Sequence, residues 1–274
     1  MAWTRGRVAR AALTRLAPRA CFRGILQAAG GGEARLSVTF DCDLDEDYRD
    51  LPVLLDGLAR RGLRTDFACI GRRMEAMPGI HRRMLDEGHE ILNHTHTHPW
   101  AHETGAEAFR AELSAAHEAC VAATGRPPVG FRMPHFGNLD VYAVVERGGV
   151  YRDLEALGYR ISSTTMAGRC RDGGRPYRVG RVWELPLSPC PLHPFGILDS
   201  YHSVQAPDAR HRGEGEFEGL LAELLEEGLL RGAYLNLYLD PSDVASREGF
   251  WRFLDRARAS LEILPYSALL ERLS

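Results

Sequence analysis

Beyond the run Gly30-Gly31-Gly32, short apolar runs alternate with longer amphipathic stretches through to the C-terminus. That rhythm is the mark of repeated strand and helix units, and it restricts the chain to an α/β architecture. Residues 36–40, 64–70, 129–132, 159–163, 182–186 and 233–239 are expected as strands, and 50–61, 76–87, 104–124, 138–157, 214–231 and 247–260 as helices. A closed barrel and a wound sheet fit this pattern equally well. No internal repeat or low-complexity linker divides the chain, and the Gly, Pro and Arg-rich passage 168–181 reads as a surface loop. The expectation is one domain over residues 33–274, preceded by a basic arm over residues 1–32. At 274 residues and 45% hydrophobic, such a domain has enough apolar material for a large core.

Charge narrows the partners. A formal net charge of -3 and a pI near 6.4 argue against a nucleic-acid binder, which would carry a broad basic excess. Lysine is absent and every Lys/Arg position is arginine, a pattern of codon bias rather than mechanism. The six cysteines, Cys21, Cys42, Cys69, Cys120, Cys170 and Cys190, show no zinc or redox spacing and are expected as reduced structural thiols. The arm carries Arg5, Arg7, Arg10, Arg15, Arg19 and Arg23 but no continuous apolar stretch of secretory-signal type, and no later segment reaches membrane-spanning length. The cytoplasm is therefore the expected compartment. Val8, Ala11, Ala12, Leu13 and Leu16 recur at helical intervals among those arginines, so the arm would allow contact with anionic lipid, although a dangling terminus is the leading expectation.

The chemistry begins in Ser37-Val38-Thr39-Phe40-Asp41-Cys42-Asp43. Alternation along a strand sends Asp41 and Asp43 to one side and Cys42 to the other. One carboxylate can hold a metal while its neighbour accepts a proton from water that the metal acidifies. The plain alternative is an acidic turn, since Asp45, Glu46 and Asp47 follow. A calcium loop fails, because Glu46 stands where it needs glycine and Pro52 where it needs a bidentate acid.

A second cluster follows a predicted helix: Gly88-His89-Glu90-Ile91-Leu92-Asn93-His94-Thr95-His96-Thr97-His98-Pro99. Imidazole suits divalent transition metals, and His94 and His98, four apart, would meet one ion across a helical turn. Extended backbone would instead align His94, His96 and His98, allowing an H-x-H pair. The rival to both is a solvated, histidine-rich loop. His89 is expected as a turn or supporting residue and His102 as exposed.

Taken in order, these segments resemble the NodB-homology polysaccharide deacetylases, carbohydrate esterase family 4, over about residues 35–270. Thr39-Phe40-Asp41-Cys42-Asp43 is similar to the first motif, T-F-D-D-G or F-D-x-D; the resemblance implies that Asp41 is the base and Asp43 a metal ligand. Thr65-Asp66-Phe67-Ala68-Cys69-Ile70-Gly71 resembles the strand A-T-F-F-V-x-G, and the histidine cluster resembles G-H-E-I-x-N-H-T-x-x-H-P, with His94 and His98 as metal ligands and His96 at a variable position. Arg132-Met133-Pro134 matches R-x-P, so Arg132 is expected to orient and charge-pair the base. The resemblance further implies a distorted (β/α)7 barrel, a divalent ion with zinc first and cobalt or nickel as alternatives, and a carbohydrate or other N-acylated small-molecule substrate.

Two motifs depart from the family pattern. After Pro134, His135-Phe136-Gly137 replaces Y-G, which alters the backbone donor expected for the oxyanion. The last motif, L-x-L-H or L-Y-F-H-P with histidine as general acid, reads Leu237-Tyr238-Leu239-Asp240-Pro241, and Tyr159-Arg160-Ile161-Ser162-Ser163 lacks the aspartate that would support that histidine. Asp240 can serve as an acid only if burial or nearby negative charge raises its pKa, which a metal opposes; a contact to a substrate hydroxyl is its expected role. His135, His193 and His202 are the other candidate acids, each with a loop hydrogen bond as its ordinary explanation. Trp183-Glu184-Leu185-Pro186 and Pro191-Leu192-His193-Pro194-Phe195-Gly196 would either line a sugar groove or fill the barrel end. The expected activity is removal of an N-acyl group, foremost N-acetyl, from an amino sugar or glycan precursor. The alternatives are hydrolysis of a small, cyclic or formyl amide, and a glycan-binding pseudoenzyme.

Overall fold

The structure is a computed structural model, described here over residues 15–135, 149–170, 173–205 and 216–273. Nine strands form one sheet. In chain order the elements are α1 (Pro18–Ala29), β1 (Arg35–Cys42), α2 (Asp45–Ala59), β2 (Asp66–Cys69), α3 (Gly71–Ala76), α4 (Pro78–Asp86), β3 (Glu90–Asn93), α5 (Ala106–Thr124), β4 (Gly130–Arg132), α6 (Val150–Ala156), β5 (Ile161–Ser163), β6 (Tyr177–Val179) and β7 (Val182–Glu184). A short π turn, Tyr201–Gln205, follows, then α7 (Glu216–Arg231), β8 (Tyr234–Leu239), α8 (Pro241–Val244), α9 (Glu248–Arg258), β9 (Glu262–Ile263) and α10 (Tyr266–Leu273).

The strands β7-β5-β4-β3-β2-β1-β8 lie side by side and parallel, with β6 antiparallel on the outer edge of β7 and β9 paired to the start of β1. Between β7 and β8 there is no ladder. The chain leaving β7 crosses the gap instead: Ser188 N–H donates to Asn236 O at 2.9 Å, and Asn236 N–H donates to Ser188 Oγ at 2.8 Å. The result is a distorted (β/α) barrel closed by irregular backbone. Both faces of the strands are covered, as a parallel sheet requires. On β1, Leu36, Val38, Phe40 and Cys42 face the helices, while Ser37, Thr39 and Asp41 face the barrel interior and are equally buried.

Strand β6 forms inside the passage 168–181 expected as a loop, and two further departures concern helices. Helix α2 begins at Asp45 rather than residue 50, with Pro52 inside it. The acidic run is its first turn, where negative charge suits the helix dipole, and Asp47 Oδ2 accepts the N–H groups of Asp43 (3.1 Å) and Leu44 (2.9 Å). Within the expected arm, residues 18–29 form a packed helix: Phe22, Leu26 and Ala29 make one apolar stripe buried in the main core. Arg19 and Arg23 of α1 pair with Glu223 and Glu227 of α7. The three glycines make a close contact, since a Cβ on Gly30 would lie 2.3 Å from the Arg231 carbonyl oxygen. Residues 1–14 of the arm, the first part of the helix expected at 138–157, the start of that at 214–231, and residues 171–172 of the predicted loop lie outside the described residues. Because Phe22 is fully buried, Phe22→Ala is expected to cost about 3–5 kcal/mol. Urea unfolding measures it, and a change within about 0.5 kcal/mol, the range of a surface substitution, would contradict the packing of α1.

Candidate metal centre and active site

The functional side chains gather where the parallel strands end. Asp41 leaves the interior face of β1 and Asp43 follows it on the same side, as alternation requires. Asp43 Oδ1 lies 3.3 Å from His94 Nε2 and Asp43 Oδ2 lies 3.2 Å from His98 Nε2, while the two Nε2 atoms are 3.1 Å apart. Among the described residues this trio is the one cluster of His, Cys, Asp and Glu with metal-ligand geometry.

The loop after β3 brings the histidines together as neither a helical turn nor a strand. Thr95 and His98 take φ values of 63° and 62°, so the chain doubles back and returns His98 to His94. Left-handed backbone is uncommon for such residues and is concentrated at functional sites. The fold is held by Asn93 Oδ1 accepting Thr95 N–H (2.9 Å), Thr95 Oγ1 accepting His98 N–H (3.1 Å), and Glu112 accepting the N–H groups of His96 and Thr97. His96 points elsewhere, packing over Gly71 with Glu75 at 3.9 Å.

The ligand atoms are prepared for a cation. His94 Nδ1 donates to the Arg132 carbonyl at 2.8 Å, which leaves Nε2 as a bare lone pair facing Asp43. Asp43 Oδ1 is buried without a hydrogen bond. Burial pushes the Asp43 carboxyl up, but the adjoining imidazoles of His94 and His98 outweigh it and hold it well below the usual carboxylate range. A buried acceptor with no donor, beside two converging imidazole nitrogens, fits a divalent ion.

Asp41 is 2% exposed. Its Oδ1 accepts from Arg132 Nη1 at 3.2 Å, and its Oδ2 lies 3.7 Å from His94 Nε2. Burial raises its pKa, with Arg132 and His94 opposing. The Arg132 guanidinium is held by a chain of interior polar groups: Nη2 donates to Thr39 Oγ1 (2.6 Å) and Tyr266 OH (2.9 Å), and Tyr266 OH donates to Asn236 Oδ1 (2.9 Å). Sequence reasoning missed Thr39, Asn236 and Tyr266. Thr39 had a signal, since it shares the Asp41 face of β1; Tyr266, on the last helix, had none.

Asp41, Asp43, His94 and His98 line a cleft of about 500 Å³ together with Leu44, Trp100, His135, Tyr201, His202 and Asp240. Asp240 is buried, and its backbone N–H donates to Ser200 Oγ at 2.7 Å. Burial, reinforced by the carboxylates of Asp47, Asp43, Asp243 and Asp41, holds its carboxyl well above the usual range. His135 stacks flat on Trp100, 3.7 Å between centroids, and donates from Nε2 to the His98 carbonyl. Burial and then the neighbouring His98 lower its pKa to about 4, so it is neutral at pH 7. Phe136 and Gly137 lie outside the described residues. His193 sits against Cys190 Sγ at 3.8 Å, and neither it nor Trp183 and Glu184 lines the cleft. Glu184 is instead buried in the barrel wall, accepting the N–H groups of Thr164 and Thr165. Of the two readings of 183–186 and 191–196, filling the barrel end is the one that fits. His89 is a buried partner of Thr65 and His102 is exposed, as expected.

The polysaccharide deacetylase family profile matches residues 29–150, a span that includes Asp41, Asp43, His94, His98 and Arg132 but neither His202 nor Asp240. Over that span, a little under half of the chain, the sequence is similar to the polysaccharide deacetylases. A peptidoglycan-N-acetylglucosamine deacetylase of Bacillus cereus is 29% identical over 103 residues, 38% of this chain and 37% of that protein. A chitooligosaccharide deacetylase of Rhizobium leguminosarum bv. trifolii is 32% identical over 95 residues, 35% of this chain and 43% of that protein. This chain thus spans less than half the length of these curated relatives. A candidate polysaccharide deacetylase from Mycobacterium smegmatis has the same fold, with a TM-score of 0.72 at 20% identity over 88% of this chain and 90% of that one. Among the described residues, no helix is long and apolar enough to cross a membrane.

Proposed function

We propose that this protein is a divalent-metal-dependent hydrolase that removes an N-acyl group, foremost N-acetyl, from an amino sugar or glycan precursor. The observation that carries the reading is the placement of Asp41, clamped by Arg132, beside the trio of buried His94 and half-buried Asp43 and His98 in one open cleft. Asp43, His94 and His98 would hold the ion, zinc first and cobalt or nickel as alternatives, and three protein ligands leave positions open. When bound, it supplies Lewis acidity toward the acyl oxygen and toward water.

The chain's own residues do the rest. Asp41 takes a proton from the attacking water; Arg132 fixes which oxygen faces the cleft and keeps the carboxylate available at neutral pH. The exposed Trp100, backed by the coplanar His135 ring, offers an apolar face to a pyranose. The curated relatives named above carry deacetylase activity on N-acetylated saccharides in their names, which supports this substrate class. The six cysteines, none of them in a disulfide among the described residues, support a reducing compartment, the cytoplasm.

Metal-reconstituted protein incubated with N-acetylglucosamine and its β-1,4 oligomers is expected to release acetate and free amine in equal amounts, and a chelator is expected to stop it. Saccharide binding without acetate release would establish the pseudoenzyme alternative. Turnover confined to formyl or cyclic amides would move the substrate class.

A further inference from the structure

Expulsion of an amine needs a proton donor, and the β8 position where the family's last motif carries histidine is Asp240. Among the described residues the Asp240 side chain is bonded to the Ser200 hydroxyl (3.3 Å) and to the Asp243 carboxyl. Its proton is held in that contact with the Asp243 carboxyl. Asp240 is poorly placed to give a proton away.

A different segment reaches the same corner of the cleft. Residue Asp199 forms a parallel bridge with Tyr238, so the chain at 198–200 runs alongside the end of β8, and Ser200 Oγ accepts the Asp240 N–H. From there the π turn Tyr201–Gln205 starts, and it places His202 on the cleft lining. Asp199 is 1% exposed and its carboxylate is wholly engaged with His202: Oδ1 accepts the His202 backbone N–H at 2.7 Å, and both oxygens lie 3.0–3.1 Å from His202 Nδ1. A buried carboxylate on Nδ1 fixes the tautomer, stabilises the imidazolium and leaves Nε2 to carry the transferable proton. Among the described residues, the charged and titratable groups facing this corner include Asp199, Tyr201, Asp240 and Asp243, the last bonded by Gln205. Of the three histidines considered as substitute acids, His135 and His193 are committed elsewhere.

We infer that His202, positioned by Asp199, is the general acid that protonates the leaving nitrogen, so that the acid arm of this site comes from the loop before α7 rather than from the end of β8. The inference rests on the amide-hydrolase reading above. The water oxygen bonds to the acyl carbon and its proton passes to Asp41. The tetrahedral adduct then breaks its C–N bond, the electron pair goes to nitrogen, and nitrogen takes the proton from His202 Nε2. Free amine, carboxylic acid, protonated Asp41 and neutral imidazole result; the product acid then ionises into water, and the proton on Asp41 returns to His202 through solvent.

The test uses full-length, zinc-loaded protein with three substrates: N-acetylchitotetraose, p-nitroacetanilide, and p-nitrophenyl acetate, whose phenolate leaves without protonation. His202→Gln is expected to lower kcat on the amides about 100-fold, in the range of a lost general acid, with a much smaller change on the ester. The alkaline limb of the amide pH profile, which reports deprotonation of the acid, should disappear in His202→Gln, shift to lower pH in Asp199→Asn, and persist in Asp240→Asn. Equal losses on amide and ester, or an alkaline limb that disappears with Asp240→Asn and persists in His202→Gln, would overturn the assignment. Wild-type protein that cleaves the anilide but no N-acetyl saccharide would remove the amino-sugar reading and leave His202 tested on the anilide. Wild-type protein that cleaves neither amide would overturn both.

Discussion

Asp41→Asn is expected to lower acetate release by about 10³-fold while the protein stays folded and keeps its metal, a loss in the range of a removed general base. Asparagine has the shape of aspartate without its basicity. Its Oδ1 can still accept from Arg132 Nη1, where Asp41 Oδ1 now sits at 3.2 Å. Arg132 also retains Thr39 and Tyr266 as acceptors, so stability should fall by less than the ~3–5 kcal/mol typical of a severed buried pair. Acetate assays run beside metal analysis and thermal unfolding separate these effects. Arg132→Ala should also be slow, because nothing would then orient the base, and Asp240→Asn should cost less than Asp41→Asn. A D41N protein that lost its ion yet kept its turnover would exchange the roles of Asp41 and Asp43.

Removing any one of Asp43, His94 or His98 is expected to abolish stoichiometric metal binding, whereas His96→Ala should bind as the wild type does. The Asp43, His94 and His98 side chains converge within hydrogen-bonding distance of one another, while His96 is packed over Gly71. Binding to the folded state alone stabilises it by about 2.7 kcal/mol when the free ion is a hundred times its Kd. The metal-dependent rise in Tm should therefore be clear in wild-type and His96→Ala protein and absent from the three ligand variants. Metal analysis after gel filtration gives the stoichiometry directly. Loss of the ion in His96→Ala with retention in His98→Ala would restore the H-x-H arrangement.

The pairing of Asp41 with Asp43 could be read from the chain because it depends only on the two-residue alternation of β1, a property of adjacent residues. The alternating strand and helix units were legible for the same reason. The histidine loop was half legible: the residue types pointed to a metal, but helical and extended backbone gave different partners. Both were superseded by left-handed turns at Thr95 and His98. Neither residue type announces such a conformation; contacts from Asn93 and Glu112 impose it.

What lay beyond reach of the sequence has one physical origin. The clamp on Arg132 comes from Tyr266, 134 residues away, the barrel is closed by Ser188 against Asn236, and Asp199 stands beside Asp240 because an irregular segment bridges to β8. Local periodicity determined which residues face one another's strands and helices: Asp41 with Asp43, Leu36 with Val38 and Phe40. Only the tertiary fold decided which distant segments share the cleft, because that choice minimises unsatisfied buried polar atoms and voids over the whole chain at once, and no window of neighbouring residues carries it.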